Sequence, residues 1–165
     1  MRVIGFDPGT NITGYGILEK KCEIFEYIDS GIIDLRKAKN IQQKLDIIYK
    51  EFFKLTKEYK PHSVAIEDVF VAKNTRGTIK LGYVKGIIFL AAEHAGLQVF
   101  EYSATKVKQA VTGFGRATKE EIRKILPNII KNVKINNYPD ATDAIAIAYS
   151  HIIHLDWIKN YDCIS

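Results

Sequence analysis

Four carboxylates stand where their neighbours are apolar or turn-forming. Asp7 ends the run Val3-Ile4-Gly5-Phe6, and Glu67 ends Val64-Ala65-Ile66 in the same way. Asp140 and Asp143 fall in the first turn and a half of a helix that Pro139 opens. Their spacing of three puts both on one helical face. An all-oxygen set, without Cys or suitably spaced His, selects a hard divalent cation, Mg²⁺ with Mn²⁺ as a substitute. Two such ions about 4 Å apart clamp the attacking and leaving oxygens of an in-line phosphoryl displacement. Each residue also has an ordinary reading. Asp opens Pro-Gly turns, Glu67 with Asp68 makes a charged strand end, and Asp140 suits a helix N-terminal dipole. Asp143 resists one, because Ala141, Ala144, Ile145, Ala146 and Ile147 around it are apolar.

The elements that must bring these groups together are legible. Residues 2–6, 12–18 and 22–33 read as strands of an antiparallel meander, with Asp7-Pro8-Gly9-Thr10 a turn in which Gly9 tolerates positive φ. Gly9, Gly14 and Gly16 in close succession suggest tight backbone approach. Ile41, Leu45, Ile48, Phe52, Leu55 and Tyr59 recur at helical intervals until Pro61. A short strand at 63–67, a helix at 75–95 closed by Gly96, and a strand at 98–102 follow. Two short helices, 103–111 and 118–126, come next, the second with the capping-box pair Thr118 and Glu121. The last helix runs from Pro139 to about His154. This order is α/β, with helical crossovers making strands parallel. In such sheets ligands gather at the carboxyl ends of the strands, where Asp7 and Glu67 stand. One compact domain over 1–154 with a tail at 155–165 is expected.

The 165 residues suit one sizeable core, and the 47% apolar content excludes a disordered chain. No run nears the roughly 18 apolar residues of a membrane span, and no signal-peptide h-region follows Arg2. A cytoplasmic protein with no membrane partner is expected. Cys22 and Cys163 fit no metal or redox spacing and read as reduced thiols. His151 lies eight residues past Asp143, about 12 Å of helical rise, too far to share its metal. His151 and His154 read as helix-end residues.

Taken in chain order, the motifs form a recognisable set. Gly5-Phe6-Asp7-Pro8-Gly9-Thr10, Ile66-Glu67-Asp68-Val69-Phe70 and Ala72-Lys73-Asn74 resemble the RuvC family of Holliday junction resolvases. So do Lys106-Val107-Lys108-Gln109, Gly113-Phe114-Gly115-Arg116-Ala117-Thr118-Lys119 and Pro139-Asp140-Ala141-Thr142-Asp143-Ala144. The resemblance implies a ribonuclease H-like fold, a five-stranded mixed sheet flanked by helices. It implies a Mg²⁺-dependent homodimer that makes paired nicks in opposed strands of a four-way DNA junction, leaving 5′-phosphate and 3′-hydroxyl ends, in recombination and repair. The family's catalytic carboxylates map onto Asp7, Glu67, Asp140 and Asp143; some relatives carry His at the position of Asp140. Its junction-contacting aromatic maps onto Phe70 and its basic residues onto Lys108 and Lys119. A branch-migration motor is a further partner the resemblance allows.

Ordinary readings stand beside these. Phe70 stacks on an unpaired base or ends a strand in the core, and Lys108 and Lys119 act on phosphate or are solvated helix charges. The helix at 75–95 is apolar on two lines, Leu81-Val84-Ile88-Ala92 and Tyr83-Ile87-Leu90, which means burial or a shared face. The resemblance favours a dimer surface over residues 81–92. The net charge of +5 is concentrated. Residues 73–85 hold Lys73, Arg76, Lys80 and Lys85 with no acid, and residues 104–124 hold six basic residues, Arg116 among them, against Glu120 and Glu121. Both segments are expected to grip phosphates, and charge reversal elsewhere to matter little. An actin-like ATPase shares Asp-X-Gly-Thr but needs two lobes, for which the chain has no room. A nuclease of RNA or flap substrates and a silent junction binder are the remaining rivals, and four intact carboxylates oppose the second.

Overall fold

The computed structural model describes residues 1–68, 75–135 and 137–162, with only the backbone given for residues 75, 76 and 159–162. Three strands, β1 (Arg2–Asp7), β2 (Ile12–Lys21) and β3 (Ile24–Asp34), lead into helix α1 (Ile41–Tyr59). Strand β4 (Ser63–Glu67), helix α2 (Thr75–His94) and strand β5 (Gln98–Tyr102) follow. Helices α3 (Ala104–Thr112), α4 (Lys119–Ile129) and α5 (Pro139–Asp162) complete the chain. The five strands form one mixed sheet in the order β3-β2-β1-β4-β5. The hairpin-linked pairs β1–β2 and β2–β3 are antiparallel, while β1–β4 and β4–β5, joined through helices, are parallel.

Strand alternation distributes the core between two layers. Ile4, Phe6, Ile17, Val64 and Ile66 face α1 and α2, where Phe6 stacks on Phe52 at 5.6 Å. Val3, Leu18 and Ala65 face α3, α4 and α5. With a period of two, Asp7 shares its face with Val3 and Gly5, and Glu67 shares its face with Ser63 and Ala65. Both carboxylates therefore point to the α5 side. Asp68, one residue on, points the other way and accepts from Lys85 Nζ of α2 at 3.1 Å.

Helix α5 lies unusually close to the sheet. A Cβ on Gly5, Gly14 or Gly16 would strike the backbone of Ala144, Asp140 or Ile145. The helix side of this contact is built from Ala141, Ala144 and Ala148, all fully buried. Small residues on both surfaces replace the side-chain layer that normally separates helix and sheet. That contact seats Asp140 and Asp143 above β1.

Three sequence expectations change. Helix α5 continues to Asp162 rather than ending near His154, because residues 155–162 contain no Gly or Pro and Asp156 is held by Lys20 Nζ at 2.5 Å. Gly9 does not adopt positive φ; a side chain there would meet the Ile12 carbonyl, so the turn needs its space. Gly96, at φ 67°, does close α2 in the left-handed region. Lys85 is not a phosphate-gripping residue. It is buried beside Val84 and Ile88 and paired with both Asp68 and Glu101. No described helix is long and apolar enough to cross a membrane.

Candidate active site

Four elements converge at the carboxyl end of the central strands. Asp7 leaves β1 into a turn fastened by Thr13, whose hydroxyl donates to the Gly9 carbonyl at 3.1 Å and accepts from the Gly9 N–H at 3.3 Å. Lys44 Nζ of α1 holds the same turn, donating to the Thr10 carbonyl at 2.5 Å and to Asn11 Oδ1 at 2.9 Å. Glu67 ends β4 beside Tyr102 of β5. Lys119 is the first residue of α4, placed there by the expected capping box: Glu121 N–H donates to Thr118 Oγ1 at 3.2 Å and Thr118 N–H to Glu121 Oε2 at 2.7 Å. An ammonium at a helix N-terminus opposes the dipole. Lys119 offsets this by donating to Asp143 Oδ2.

The electrostatics show that these groups share one site. Burial pushes the Asp7 carboxyl up to about 8, helped by the negative fields of Asp143, Glu67 and Asp140 and opposed by Lys119. Burial and Asp143 raise Glu67 as well, against Lys119 and Lys108. Lys119 moves upward through its bond to Asp143 and the fields of Asp143, Asp7 and Glu67. A cavity of about 170 Å³ opens among Glu67, Lys108, Lys119 and Asp143, floored by Val107 and Ile147. All four candidate carboxylates are thus gathered, with two lysines on the rim.

The donor set suits a hard divalent cation: four carboxylates, no thiolate, and a surplus of negative charge that Asp7 relieves by holding a proton. Among the described residues no three His, Cys, Asp or Glu side chains form a closed ligand cage. Asp143 is engaged by Lys119 instead. What the fold supplies is the convergence of charge rather than a finished cage.

Of the expected DNA-contacting residues, Lys108 and Lys119 reach the cavity, while Arg116 lies in the turn between α3 and α4, away from its lining. Phe70, Lys73 and the side chain of Arg76 lie outside the described residues. His151 is not a helix-end residue. It is fully buried, with Nε2 2.8 Å from Ser63 Oγ and Nδ1 2.7 Å from the Tyr102 hydroxyl, and burial lowers its pKa to about 4. The network ties α5 to β4 and β5 below the carboxylates. Its members are 88 and 49 residues from His151, and no local pattern connects them. The Lys44 bond to the turn after Asp7, across 34 residues, is equally invisible to spacing.

Comparison with known proteins agrees with this geometry. A family model described as crossover junction endodeoxyribonuclease RuvC matches residues 3–151. A protein of that name from Trichlorobacter lovleyi is 44% identical over 152 residues, covering 92% of this chain and 85% of its own length. The structure of T. thermophilus RuvC in complex with Holliday junction substrate superposes with a TM-score of 0.87 at 26% identity, covering 94% of each chain. The yeast mitochondrial Holliday junction resolvase, at 13% identity and a TM-score of 0.75 over 96% of this chain and 80% of its own, shares the fold. With the match spanning nearly all of β1 to α5 and including Asp7, Glu67, Asp140 and Asp143, this chain belongs to the crossover junction endodeoxyribonuclease RuvC family.

Proposed function

We propose that this chain is a metal-dependent DNA endonuclease that resolves four-way junctions by nicking two opposed strands. The observation that carries the reading is the convergence of Asp7 from β1, Glu67 from β4 and Asp140 and Asp143 from α5, where burial and the neighbouring negative charges raise the Asp7 carboxyl. Asp7, Glu67, Asp140 and Asp143 would hold two Mg²⁺, with Mn²⁺ as a substitute. Bound there, the cations would supply Lewis acidity for phosphodiester hydrolysis, leaving 5′-phosphate and 3′-hydroxyl ends. The chain's own residues do the rest. Lys108 and Lys119 line the cavity beside Glu67 and Asp143, so a phosphate entering there meets two ammonium groups that balance its charge. Lys119 neutralises Asp143, one of the residues that would hold the cations. Phe70, three residues beyond Glu67, is assigned to stacking on an unpaired base at the exchange point, and Lys73, Arg76 and Arg116 to phosphates of the arms.

The surface of α2 supports the homodimer reading. Val84, Ile88, Ala91 and Ala92 turn into the core. Ile79, Tyr83 and Leu90 are about half exposed, with open space over Gly82 and Gly86 between them. An apolar stripe with a shallow groove along a helix suits a two-fold contact, and a two-fold dimer presents two identical sites to a junction of the same symmetry. The setting is the bacterial cytoplasm, with a branch-migration motor as a partner that feeds junctions to the dimer.

The test incubates the protein and Mg²⁺ with labelled four-way junction, duplex, flap and RNA/DNA hybrid. Paired symmetric nicks confined to the junction are expected. Asp143→Asn should lose them while still binding the junction. Degradation of the hybrid, or equal loss of binding and cleavage in a folded Asp143→Asn, overturns the reading.

A further inference from the structure

We propose that Lys85 is a positioning residue for the nuclease site: acting through Asp68 from the opposite face of the sheet, it fixes the end of β4 and with it Glu67. The inference rests on the nuclease reading. Strand β4 pairs with β1 as far as Ile66, opposite Phe6, whereas its pairing with β5 runs one residue further, to Glu67 opposite Tyr102. Glu67 is therefore held by one neighbouring strand, because β1 has already turned away after Asp7. A ladder end with one partner opens more readily than a ladder centre. A group that works on a reacting phosphate needs the opposite, a support that fixes its geometry.

That support comes from behind the site. The Asp68 N–H donates to the Tyr102 carbonyl at 2.8 Å, adding one bond past the end of β4. Its carboxylate, turned away from the cavity by strand alternation, accepts from Lys85 Nζ at 3.1 Å. The same ammonium pairs with Glu101 of β5, the residue before Tyr102. It also lies 5.7 Å from the ring centroid of Phe89, one turn along α2. One charge thus joins the last residues of β4 and β5 to α2. Stability does not require a charge there. Lys85 is buried beside Val84 and Ile88, and an apolar side chain of the same length would fill the space. Buried ion pairs are often no more stabilising than such a replacement. What the apolar side chain cannot do is grip Asp68. Asp68 and Glu101 are about half exposed, so water satisfies both once the ammonium is removed. Loss of the clamp therefore shows as a misplaced Glu67 rather than as an unfolded chain.

The test compares the full wild-type chain with Lys85→Met, Lys85→Arg, Asp68→Asn and Lys50→Met. Lys50 pairs with Asp46 on the exposed side of α1 and controls for loss of an ordinary ion pair. Junction affinity and the single-turnover cleavage rate in Mg²⁺ are measured, together with exchange of the Asp68 amide by NMR in the metal-free protein. Lys85→Met and Asp68→Asn should bind the junction as the wild type does and cut it about tenfold more slowly, since a misplacement of about 1 Å costs up to about 100-fold. The Asp68 amide should exchange about tenfold faster in Lys85→Met. Lys85→Arg, which keeps the charge, should restore both, and Lys50→Met should change neither. The double variant Lys85→Met/Asp68→Asn should be no slower than either single one. A wild-type cleavage rate in Lys85→Met, equal losses of affinity and rate, or a Lys85→Arg no better than Lys85→Met overturns the clamp and leaves the nuclease reading standing. If Lys85→Met loses its melting transition, Asp68→Asn carries the same comparison from a half-exposed position. A wild-type chain that cuts no junction overturns the nuclease reading, and amide exchange then decides the clamp alone: an unchanged Asp68 rate in Lys85→Met overturns it.

Discussion

Replacing Asp7 by Asn should stabilise the metal-free protein, and by more as the pH rises. The folded chain holds the Asp7 proton up to about pH 8, whereas the unfolded chain releases it near 3.8. Between those values the native state binds more protons, so this site's contribution to stability falls with increasing pH and levels off above 8. At about 1.4 kcal/mol per pH unit, the rise from 3.8 to about 8 sets a ceiling of about 6 kcal/mol. Asp7 is only half-buried and Lys119 stands nearby, so solvent and counter-charge reduce this to about 2 kcal/mol. Asn keeps the shape and removes the charge. For a chain of this size the gain is about 4–8 °C in melting temperature at pH 8, shrinking to nothing near pH 4. The assay is calorimetry of both proteins in chelator from pH 4 to pH 9, repeated with Mg²⁺. The cation should stabilise the wild-type chain and leave Asp7→Asn largely unmoved. A difference in melting temperature that is independent of pH, or an Asn variant less stable at pH 8, would refute the argument that the carboxylates share one field.

Other perturbations probe the scaffold. Gly16→Ala should cost about 3 kcal/mol or more, read from urea unfolding, because its Cβ would meet the backbone of Ile145 and lift α5 from β2. Gly82→Ala, where space is open, should be neutral or stabilising. Tyr102→Phe should destabilise by about 1–3 kcal/mol, as His151 Nδ1 loses its partner in a buried site. Because the folded His151 pKa lies near 4 against 6.5 unfolded, its contribution is present above 6.5 and lost as pH falls toward 4, opposite in sign to Asp7. Leu90→Asp should yield a folded monomer in sedimentation equilibrium, since that side chain is about half exposed and outside the core; an unchanged dimer would move the contact elsewhere.

Local pattern locates nearly every element of this protein. Strand alternation, the helical recurrence from Ile41 to Tyr59 and the Thr118–Glu121 box are short-range signals, and the structure follows them to within a few residues. The helix past His154 escapes such signals because its last turns carry no strong periodicity and are held by Lys20, 136 residues away. The carboxylates are legible because a charge that interrupts an apolar run is visible without knowing its neighbours in space.

What the chain alone determined is therefore type and place: α/β order, Asp7 and Glu67 at strand ends, Asp140 and Asp143 on one helix face. Only the tertiary structure decided that these charges meet. Strand order brings β4 beside β1, period-two alternation sends both strand-end carboxylates to one face, and Gly5, Gly14 and Gly16 let α5 lie close enough to add two more. It also decided which basic residues are spent. Lys85 is consumed by Asp68 and Glu101, whereas Lys108 and Lys119, the latter paired with Asp143, stand on the cavity rim. The reason is physical: composition counts charges, but only proximity and burial determine which of them are cancelled and which remain to hold a ligand.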